Sequence, residues 1–228
     1  MSGPDLRLGA WERVLADMSE VAAVITDPPY SARTHAGHDA GVELADGGER
    51  RTVSYAAWAA EDVAAFVDAW APRNRGWFVC LSDHNLIGAY EAAYARHGLT
   101  TFAPVAILII GMTVRLAGDG PSSWVIYANV ARPKALARWG TLPGGYHGGP
   151  GEREHIGGKP LWLMRALVRD YSRRGDLVCD PCAGAATTLI AAATEGRRAV
   201  GAEVNAATHA LALERIGRGY TPTFEVCE

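Results

Sequence analysis

The sequence predicts an α/β fold with a mostly parallel, twisted sheet and an antiparallel terminal strand. Short apolar runs alternate along the chain with alanine-rich stretches of helical spacing, and this alternation is typical of parallel strands joined by helices. Near the middle of the chain, two apolar runs are joined by a turn rich in glycine and aspartate instead of a helix, which favours an antiparallel pair there.

The apolar runs predict six strands, since they are short and are bounded by turn residues. In chain order the predicted strands are Val21–Thr26, Gly76–Leu81, Phe102–Ile110, Trp124–Val130, Leu177–Cys179 and Ala199–Ala202. Two regions, Ser31–Ser54 and Arg132–Gly158, break the alternation. The second is rich in glycine and proline and therefore predicts a loop or a small insertion.

Five stretches predict helices. Asn85–Gly98 ends in the glycine that is expected just past a helix. Pro160–Gly175 opens with proline, repeats apolar residues on one face and closes with basic residues and glycine. The other three stretches are Tyr55–Trp70, Thr187–Gly196 and Ala206–Gly219.

Length and composition indicate one globular domain, residues 1–228. The formal net charge of −3 argues against a uniformly basic polyanion binder but leaves room for a local basic face. The longest apolar run, Phe102–Met112, is too short to span a bilayer, and the first residues lack the pattern of a signal peptide. We therefore expect a cytoplasmic protein without membrane contact.

The first chemical motif is "DPPY", Asp27–Tyr30, directly after an apolar run. Two prolines stiffen the turn, so that a carboxylate and an aromatic ring are held at a fixed mutual angle at the end of a strand. The alternative is a local turn that Asp27 caps and the prolines only shape.

The second motif lies within "GDLVCDPCAGAATTLIAAATEGRRAVGAEVN", which predicts a strand, a tight loop, a helix and a strand. Asp180 ends the first strand, Gly184 lies in the loop, and Glu203 ends the second strand 23 positions after Asp180. This arrangement is typical of a nucleotide-type site, in which glycine allows close approach to backbone N–H groups and the second acid reaches ribose hydroxyls. The alternative is a plain helix-packing turn.

The cysteines do not indicate a metal or a disulfide framework. Cys179 and Cys182 form a C-x-x-C pair, but a zinc site needs a second ligand pair and none is suitably spaced. We interpret both as small buried residues and expect no metal.

Together the two motifs resemble the exocyclic-amino DNA methyltransferases. "DPPY" resembles their catalytic motif, "DPCAGAATT" (Asp180–Thr188) their S-adenosylmethionine loop, and "GAEVN" (Gly201–Asn205) their ribose-binding strand end. The catalytic motif comes first, as in the β class of this family. The resemblance implies a Rossmann-like class I methyltransferase fold with circularly permuted motif order, and S-adenosyl-L-methionine as the cofactor.

The resemblance also implies roles for individual residues. The implied catalytic residues are Asp27, Pro28, Pro29 and Tyr30. The implied cofactor-binding residues are His155, Lys159, Pro160, Asp180, Cys182, Ala183, Gly184, Thr187, Thr188, Glu203 and Asn205. In this assignment Asp27 and the Pro28 carbonyl accept hydrogen bonds from the amino group of a flipped base, and Tyr30 stacks on that base.

Three departures from the family pattern concern the cofactor. The family's Gly-Ser-Gly is replaced by Gly184-Ala185-Ala186, a common phenylalanine by Cys182, and a frequent aspartate by Ala10. Each change adds a methyl group or removes a contact near the expected cofactor position. We therefore expect modest affinity for S-adenosylmethionine, and sub-micromolar binding in a calorimetric titration would contradict this.

The irregular segment at about 132–158 occupies the position of the family's target-recognition region. The expected DNA contacts are Arg33, Arg50, Arg51, Arg132, Lys134 and Arg138, although each could equally be a solvated surface charge. Because so short a region presents few side chains to base edges, we expect a short or relaxed recognition sequence, or the help of a second subunit in a homodimer.

The predicted function is transfer of a methyl group from S-adenosylmethionine to N6 of adenine in DNA, by a solitary modification enzyme or one of a restriction–modification system. An aspartate at the first position of the catalytic motif occurs mainly with adenine acceptors in this family. The alternatives are N4-methylation of cytosine and a catalytically weakened DNA-binding module of the same fold.

Overall fold

The structure is a computed structural model that describes residues 3–34, 55–111, 123–151 and 158–219. His155, Arg50 and Arg51, which were predicted to contact the cofactor or DNA, lie outside these residues. The strands are β1 Asp5–Leu8, β2 Val21–Thr26, β3 Asn74–Ser82, β4 Thr100–Thr101, β5 Val105–Ile109, β6 Val125–Arg132, β7 Gly145–Gly148, β8 Leu177–Asp180 and β9 Arg198–Glu203. The helices of four or more residues are α1 Trp11–Val14, α2 Ala60–Trp70, α3 Ile87–Arg96, α4 Leu161–Tyr171, α5 Thr187–Thr194 and α6 Ala206–Gly217.

Within the described residues, the strands form one sheet in the order β1-β9-β8-β2-β3-β6-β5-β7, with β4 also paired to β6. β1, β9, β8, β2 and β3 are mutually parallel neighbours. The interior strand β2, "VAAVIT", is almost entirely buried, as expected for a parallel strand covered by helices on both faces. The predicted α/β fold with a mostly parallel sheet is confirmed.

The antiparallel part of the sheet is more elaborate than the sequence predicted. β6 runs antiparallel to both β3 and β5, so the predicted antiparallel pair is present. The pair does not form the edge of the sheet, however, because β7 adds to β5 in parallel. β7 reads "GYHG", and two glycines in four residues had predicted a loop.

Two buried apolar clusters cover the two faces of the sheet. One contains residues of α4, α5 and α6, such as Leu167, Leu189 and Ala212. The other contains residues of α2 and α3, such as Phe66 and Tyr94. The helices therefore lie in two layers around the sheet, and the loops lie at the two ends of the strands. We call the edge at which β2, β3, β8 and β9 end the carboxyl edge, and the opposite one the amino edge.

Among the described residues, no helix is both long enough and apolar enough to cross a membrane.

Candidate active site at the carboxyl edge

Four acidic residues lie at the carboxyl ends of adjacent parallel strands. They are Asp27 after β2, Asp83 after β3, Asp180 at the end of β8 and Glu203 at the end of β9. Because these strands are neighbours in the sheet, the four strand ends are brought to one edge, where ligands of open α/β sheets bind. The two sequence motifs, far apart in the chain, are therefore brought together.

A buried hydrogen bond joins the two motifs. The Thr26 hydroxyl donates to Oδ1 of Asp180 over 2.6 Å, across 154 positions of the sequence. The backbone N–H of Cys182 donates to the same oxygen over 3.1 Å. Burial raises the pKa of Asp180 to about 6, against the opposing effect of these hydrogen bonds. Asp180 thus holds the start of the glycine loop through Cys182 and links it to β2 through Thr26.

Asp27 is held by a lysine that follows β7. The Lys159 ammonium group lies 2.6 Å from Oδ2 of Asp27, and the two side chains are 14% and 22% exposed. The same ammonium group lies 4.8 Å from the centre of the Tyr30 ring. Oδ1 of Asp27 is buried and has no hydrogen-bond partner among the described residues. One carboxylate oxygen is therefore occupied and the other is left without a donor.

Tyr30 and the prolines complete the turn. The Tyr30 hydroxyl is buried without a hydrogen-bond partner among the described residues. Burial, then the nearby Asp27 charge and then the approach of the Tyr30 hydroxyl to the Asp27 carboxylate hold the pKa of Tyr30 well above its usual range, so the phenol is neutral. Pro28 is buried and Pro29 half-buried, and the Tyr30 carbonyl accepts a 2.9 Å hydrogen bond from the backbone N–H of Trp58.

Asp83 fixes the residues that follow the turn. Its Oδ2 accepts hydrogen bonds from the Ser31 N–H at 3.1 Å, the Ser31 hydroxyl at 2.5 Å and the Thr34 hydroxyl at 2.5 Å, and its Oδ1 accepts one from the Asn85 N–H at 3.0 Å. Burial alone would raise the pKa of Asp83, but these hydrogen bonds bring it below its usual value. The sequence analysis missed this residue, although an acid that ends the apolar run "GWFVCLSD" is the same signal that singled out Asp27.

The glycine loop adopts the left-handed conformation at two positions, Gly184 with φ +52° and Ala186 with φ +64°. A side chain at Gly184 would meet no heavy atom within 4 Å, so the backbone there faces open space. At the next strand, a Cβ on Gly201 would lie 2.7 Å from the Asp180 carbonyl oxygen, which explains why glycine is required in β9. The Ala183 N–H donates to the Ala202 carbonyl over 2.8 Å and closes the loop against β9.

The predicted cofactor residues divide into two groups. Cys182, Gly184 and Glu203 are half-buried and border the space above the strand ends. The others are buried or serve the fold itself, namely Pro160, Asp180, Ala183, Thr187 and Thr188. Asn205 is also structural, since its side chain accepts hydrogen bonds from Ala207 and Thr208 as the N-cap of α6.

Tyr55 is a further residue at this site that the sequence analysis did not assign, since it begins the predicted helix Tyr55–Trp70 and does not follow an apolar strand. About half of its surface is exposed. Partial burial raises the pKa of Tyr55 to about 12, and the Asp27, Cys182 and Glu203 side chains add to the effect. Tyr55 therefore lies near residues of both motifs, on the open side of the site.

An open loop beside a half-buried acid at the next strand end is chemically suited to an adenosyl group. Glu203 can accept hydrogen bonds from ribose hydroxyls, and the free space at Gly184 admits a ligand close to the backbone. Among the described residues, no group of three or more histidine, cysteine or acidic side chains is arranged to hold a metal.

The predicted DNA contacts lie on two different edges of the sheet. Arg33 is exposed and follows Tyr30 at the carboxyl edge. Arg132 ends the antiparallel strand β6 and so lies at the amino edge, where it donates to the Leu136 and Ala137 carbonyls and packs on the Trp77 ring. Lys134 and Arg138 are exposed in the connection from Arg132 to β7 at the same edge.

The predicted insertion at 132–158 is therefore not one unit beside the site. Residues 133–144 connect the end of β6 with the start of β7 and stay at the amino edge, because β7 runs parallel to β5. Lys159, which follows β7, reaches Asp27 at the carboxyl edge. Arg132, Lys134 and Arg138, which were predicted to contact DNA, therefore lie at the opposite ends of the strands from Asp27.

Comparison with known proteins agrees with the geometry. Residues 124–214 match the family model N6_N4_Mtase, described as DNA methylase. The type II methyltransferase M.HindIII of Haemophilus influenzae is 38% identical over 63 residues, which are 28% of this chain and 20% of that protein. The matched stretch thus spans about a fifth of the relative.

Solved structures resemble nearly the whole chain. The structure of the M1.HpyAVI–SAM complex has a TM-score of 0.70 at 17% identity and is matched over 93% of this chain and 98% of its own. The PvuII DNA methyltransferase, described as cytosine-N4-specific, has a TM-score of 0.65 at 15% identity, over 96% of this chain and 91% of its own. At these identities the likeness is one of fold.

The fold is that of the class I methyltransferases, which these solved structures share. The match to the DNA methylase family model covers residues 124–214, so what the comparisons establish for the rest of the chain is its fold.

Proposed function

We propose that the protein transfers a methyl group from S-adenosylmethionine to the N6 amino group of adenine in DNA. The observation that carries the proposal is Oδ1 of Asp27, which is buried, has no hydrogen-bond partner in the described part of the chain and lies one strand away from the open glycine loop. An acceptor that is kept from water without a donor is suited to a ligand that brings the donor.

The chemistry requires such an acceptor. The lone pair of an aromatic amino group is delocalised into the ring, so the group is a poor nucleophile. Asp27 and the Pro28 carbonyl, as acceptors for its two hydrogens, would favour the pyramidal geometry in which the lone pair is available. Bound S-adenosylmethionine supplies an electrophilic methyl group, and the protein's part is then positioning and electrostatics.

Tyr30 is proposed to receive the flipped base. Its ring lies against the Lys159 ammonium group, and its neutral hydroxyl has no partner among the described residues. A base must leave the duplex stack to reach a site at this depth, and an aromatic face offers it a stacking surface.

On the cofactor side, Glu203 is proposed to bind the ribose and the loop at Gly184 to approach the ligand through its backbone. Asp180, Thr187, Thr188 and Asn205 would act indirectly by holding the loop and the following helix in place. This is narrower than the ligand set predicted from the resemblance, because these side chains are already engaged.

Adenine is proposed as the acceptor on the strength of the family pattern, in which aspartate at position 27 accompanies adenine more often than cytosine. We further propose a homodimer, since the described residues place few exposed cations at the carboxyl edge for a DNA-binding surface. Analytical ultracentrifugation with and without a DNA duplex would test the dimer.

The test of the function is transfer of labelled methyl groups from S-adenosylmethionine to unmethylated genomic DNA, followed by mass spectrometry of the nucleosides. We expect N6-methyladenine from the wild type and none from Asp27→Ala. Asp17→Ala is the matched control, since Asp17 is exposed and pairs with Arg7 away from the site. Detection of N4-methylcytosine instead would mean that cytosine, not adenine, is the acceptor. DNA binding without any methylated base would favour the binding-module alternative.

A further inference from the structure

Lys159 stands out in composition and in environment. The chain has 22 lysines and arginines, of which only Lys134 and Lys159 are lysines. The Lys159 side chain is 14% exposed, and its ammonium group contacts Asp27 and the Tyr30 ring. A cation withdrawn from water to this degree has to be paired, so its position is set by the catalytic turn.

The contact of Lys159 with Asp27 decides which carboxylate oxygen is left for a ligand. Oδ2 accepts from the ammonium group at 2.6 Å, while Oδ1 is buried without a donor among the described residues. A carboxylate held at one oxygen cannot rotate freely about its own bond. The position of Oδ1 is therefore fixed before any base arrives.

Resting on the proposed function, we propose that Lys159 is a positioning residue of the methyl transfer, which orients Asp27 and reserves Oδ1 for the amino group of the target base. The sequence analysis had assigned Lys159 to the cofactor. Its geometry assigns it to the acceptor side of the reaction.

The choice of lysine in an arginine-rich chain follows from this role. An ammonium group is a compact point charge that can satisfy one carboxylate oxygen. A guanidinium group tends to bind both oxygens of a carboxylate at once. Arginine at position 159 would therefore keep the charge but occupy Oδ1, which the target amino group needs.

Kinetics of Lys159→Met and Lys159→Arg test the proposal. We expect both variants to bind S-adenosylmethionine within about threefold of the wild type, and to lower kcat at saturating cofactor by roughly 10- to 100-fold, the effect of misplacing a reacting group. Calorimetry gives the cofactor affinity, and single-turnover methylation of a DNA duplex gives the rate. Thermal unfolding of each variant verifies that it is folded.

Two results would overturn the proposal. Weaker cofactor binding with unchanged kcat at saturation would return Lys159 to the cofactor, and wild-type kcat in Lys159→Arg would show that charge alone suffices. An inactive wild type would instead contradict the proposed function, and this inference with it.

The contact itself can be tested without activity. Because the chain has two lysines, lysine-selective isotope labelling gives two side-chain NMR signals, and Lys159→Arg assigns them. We expect Asp27→Asn to shift the Lys159 signal and Asp17→Asn to leave it in place. An unmoved Lys159 signal in Asp27→Asn would refute the ion pair.

Discussion

Single residues at this site are distinguished by whether their polar atoms are already used. Asp180 and Asp27 both lie at the ends of buried strands, yet Asp180 accepts hydrogen bonds from Thr26 and Cys182, whereas Oδ1 of Asp27 has no donor among the residues that the structure describes. Both were predicted from the same sequence signal, an acid after an apolar run. The difference in role could not be predicted, because it depends on partners that are distant in the chain.

Ala186 is the residue at which sequence and backbone disagree most directly. It is the only non-glycine residue with positive φ among the described residues, and it is fully buried. The left-handed conformation costs an alanine about 1–2 kcal/mol. The sequence analysis anticipated trouble at this position because the related enzymes carry glycine there.

We predict that Ala186→Gly changes the free energy of unfolding by less than about 0.5 kcal/mol, because relief of strain offsets the lost methyl burial and the added chain entropy. Ala185→Gly is the matched control. It is buried next door but has no positive φ, so it should destabilise by about 1.5 kcal/mol. Urea denaturation measures both. Equal losses in the two variants would mean that Ala186 is not strained.

At the scale of elements, the strands with long apolar runs were predicted well and the short edge strands were not. β2 was predicted residue for residue, and β3, β6, β8 and β9 to within two residues at either end. β1 and β7 have four residues each and mixed or glycine-rich sequences, so neither carries a periodic signal. They pair because β9 and β5 each offer an unpaired edge to them. Such an edge exists only in the folded sheet, so the local sequence cannot indicate it.

The contact between the end of β3 and the catalytic turn leads to the next prediction. The Asp83 carboxylate has two acceptor oxygens, one of which accepts hydrogen bonds from the Ser31 and Thr34 hydroxyls. The amide of Asp83→Asn keeps only one acceptor oxygen and adds an NH₂ donor. We expect a loss of about 1–3 kcal/mol of stability, the cost of unpaired buried polar groups. We also expect a lower kcat, because the residues that follow Tyr30 lose their anchor.

Urea denaturation at several pH values tests this prediction. The pKa of Asp83 is lowered in the folded state, so its contribution is present above the ordinary aspartate pKa of about 4 and is lost as the pH falls through the lower, folded value. The difference in the free energy of unfolding between the wild type and Asp83→Asn should therefore become smaller as the pH is lowered. Asp68→Asn, which removes exposed contacts with both Arg96 and His97, is the control and should destabilise the protein less than Asp83→Asn does at neutral pH. A difference in the free energy of unfolding that is the same at all pH values would contradict the stabilising role assigned to the ionised Asp83 carboxylate.

At the scale of the whole molecule, the sheet separates charges that are close in the sequence. Arg132, Lys134 and Arg138 lie at the amino edge, although Lys159, which follows them after one short strand, reaches Asp27. Sequence order suggested one recognition segment, but a strand that crosses the molecule places its two flanks at opposite edges. The fold class could be predicted from the sequence. The separation of these charges from Lys159 could not, because it depends on the pairing of β7 with β5.

We predict that DNA is bound at the carboxyl edge, so that Arg33→Ala weakens binding to a duplex and reduces the slope of log affinity against log salt by about one. Lys134→Ala, at the opposite edge, should leave affinity and slope unchanged. Fluorescence anisotropy at several salt concentrations measures both. A larger effect from Lys134→Ala would restore the role expected from the sequence.

The pairing of β2 with β8 also has a consequence for biosynthesis. The hydrogen bond from Thr26 to Asp180 spans 154 positions, so a ribosome needs about 8 to 30 seconds to deliver the second residue after the first. During that interval β2 can pair with β3, but its other edge has no partner strand. Exposed edges of this kind invite mispairing and chaperone binding. The proposed activity should therefore arise only after β8 has been made, and a chain arrested ahead of β8 would carry the Asp27–Tyr30 turn beside β3 but without the glycine loop.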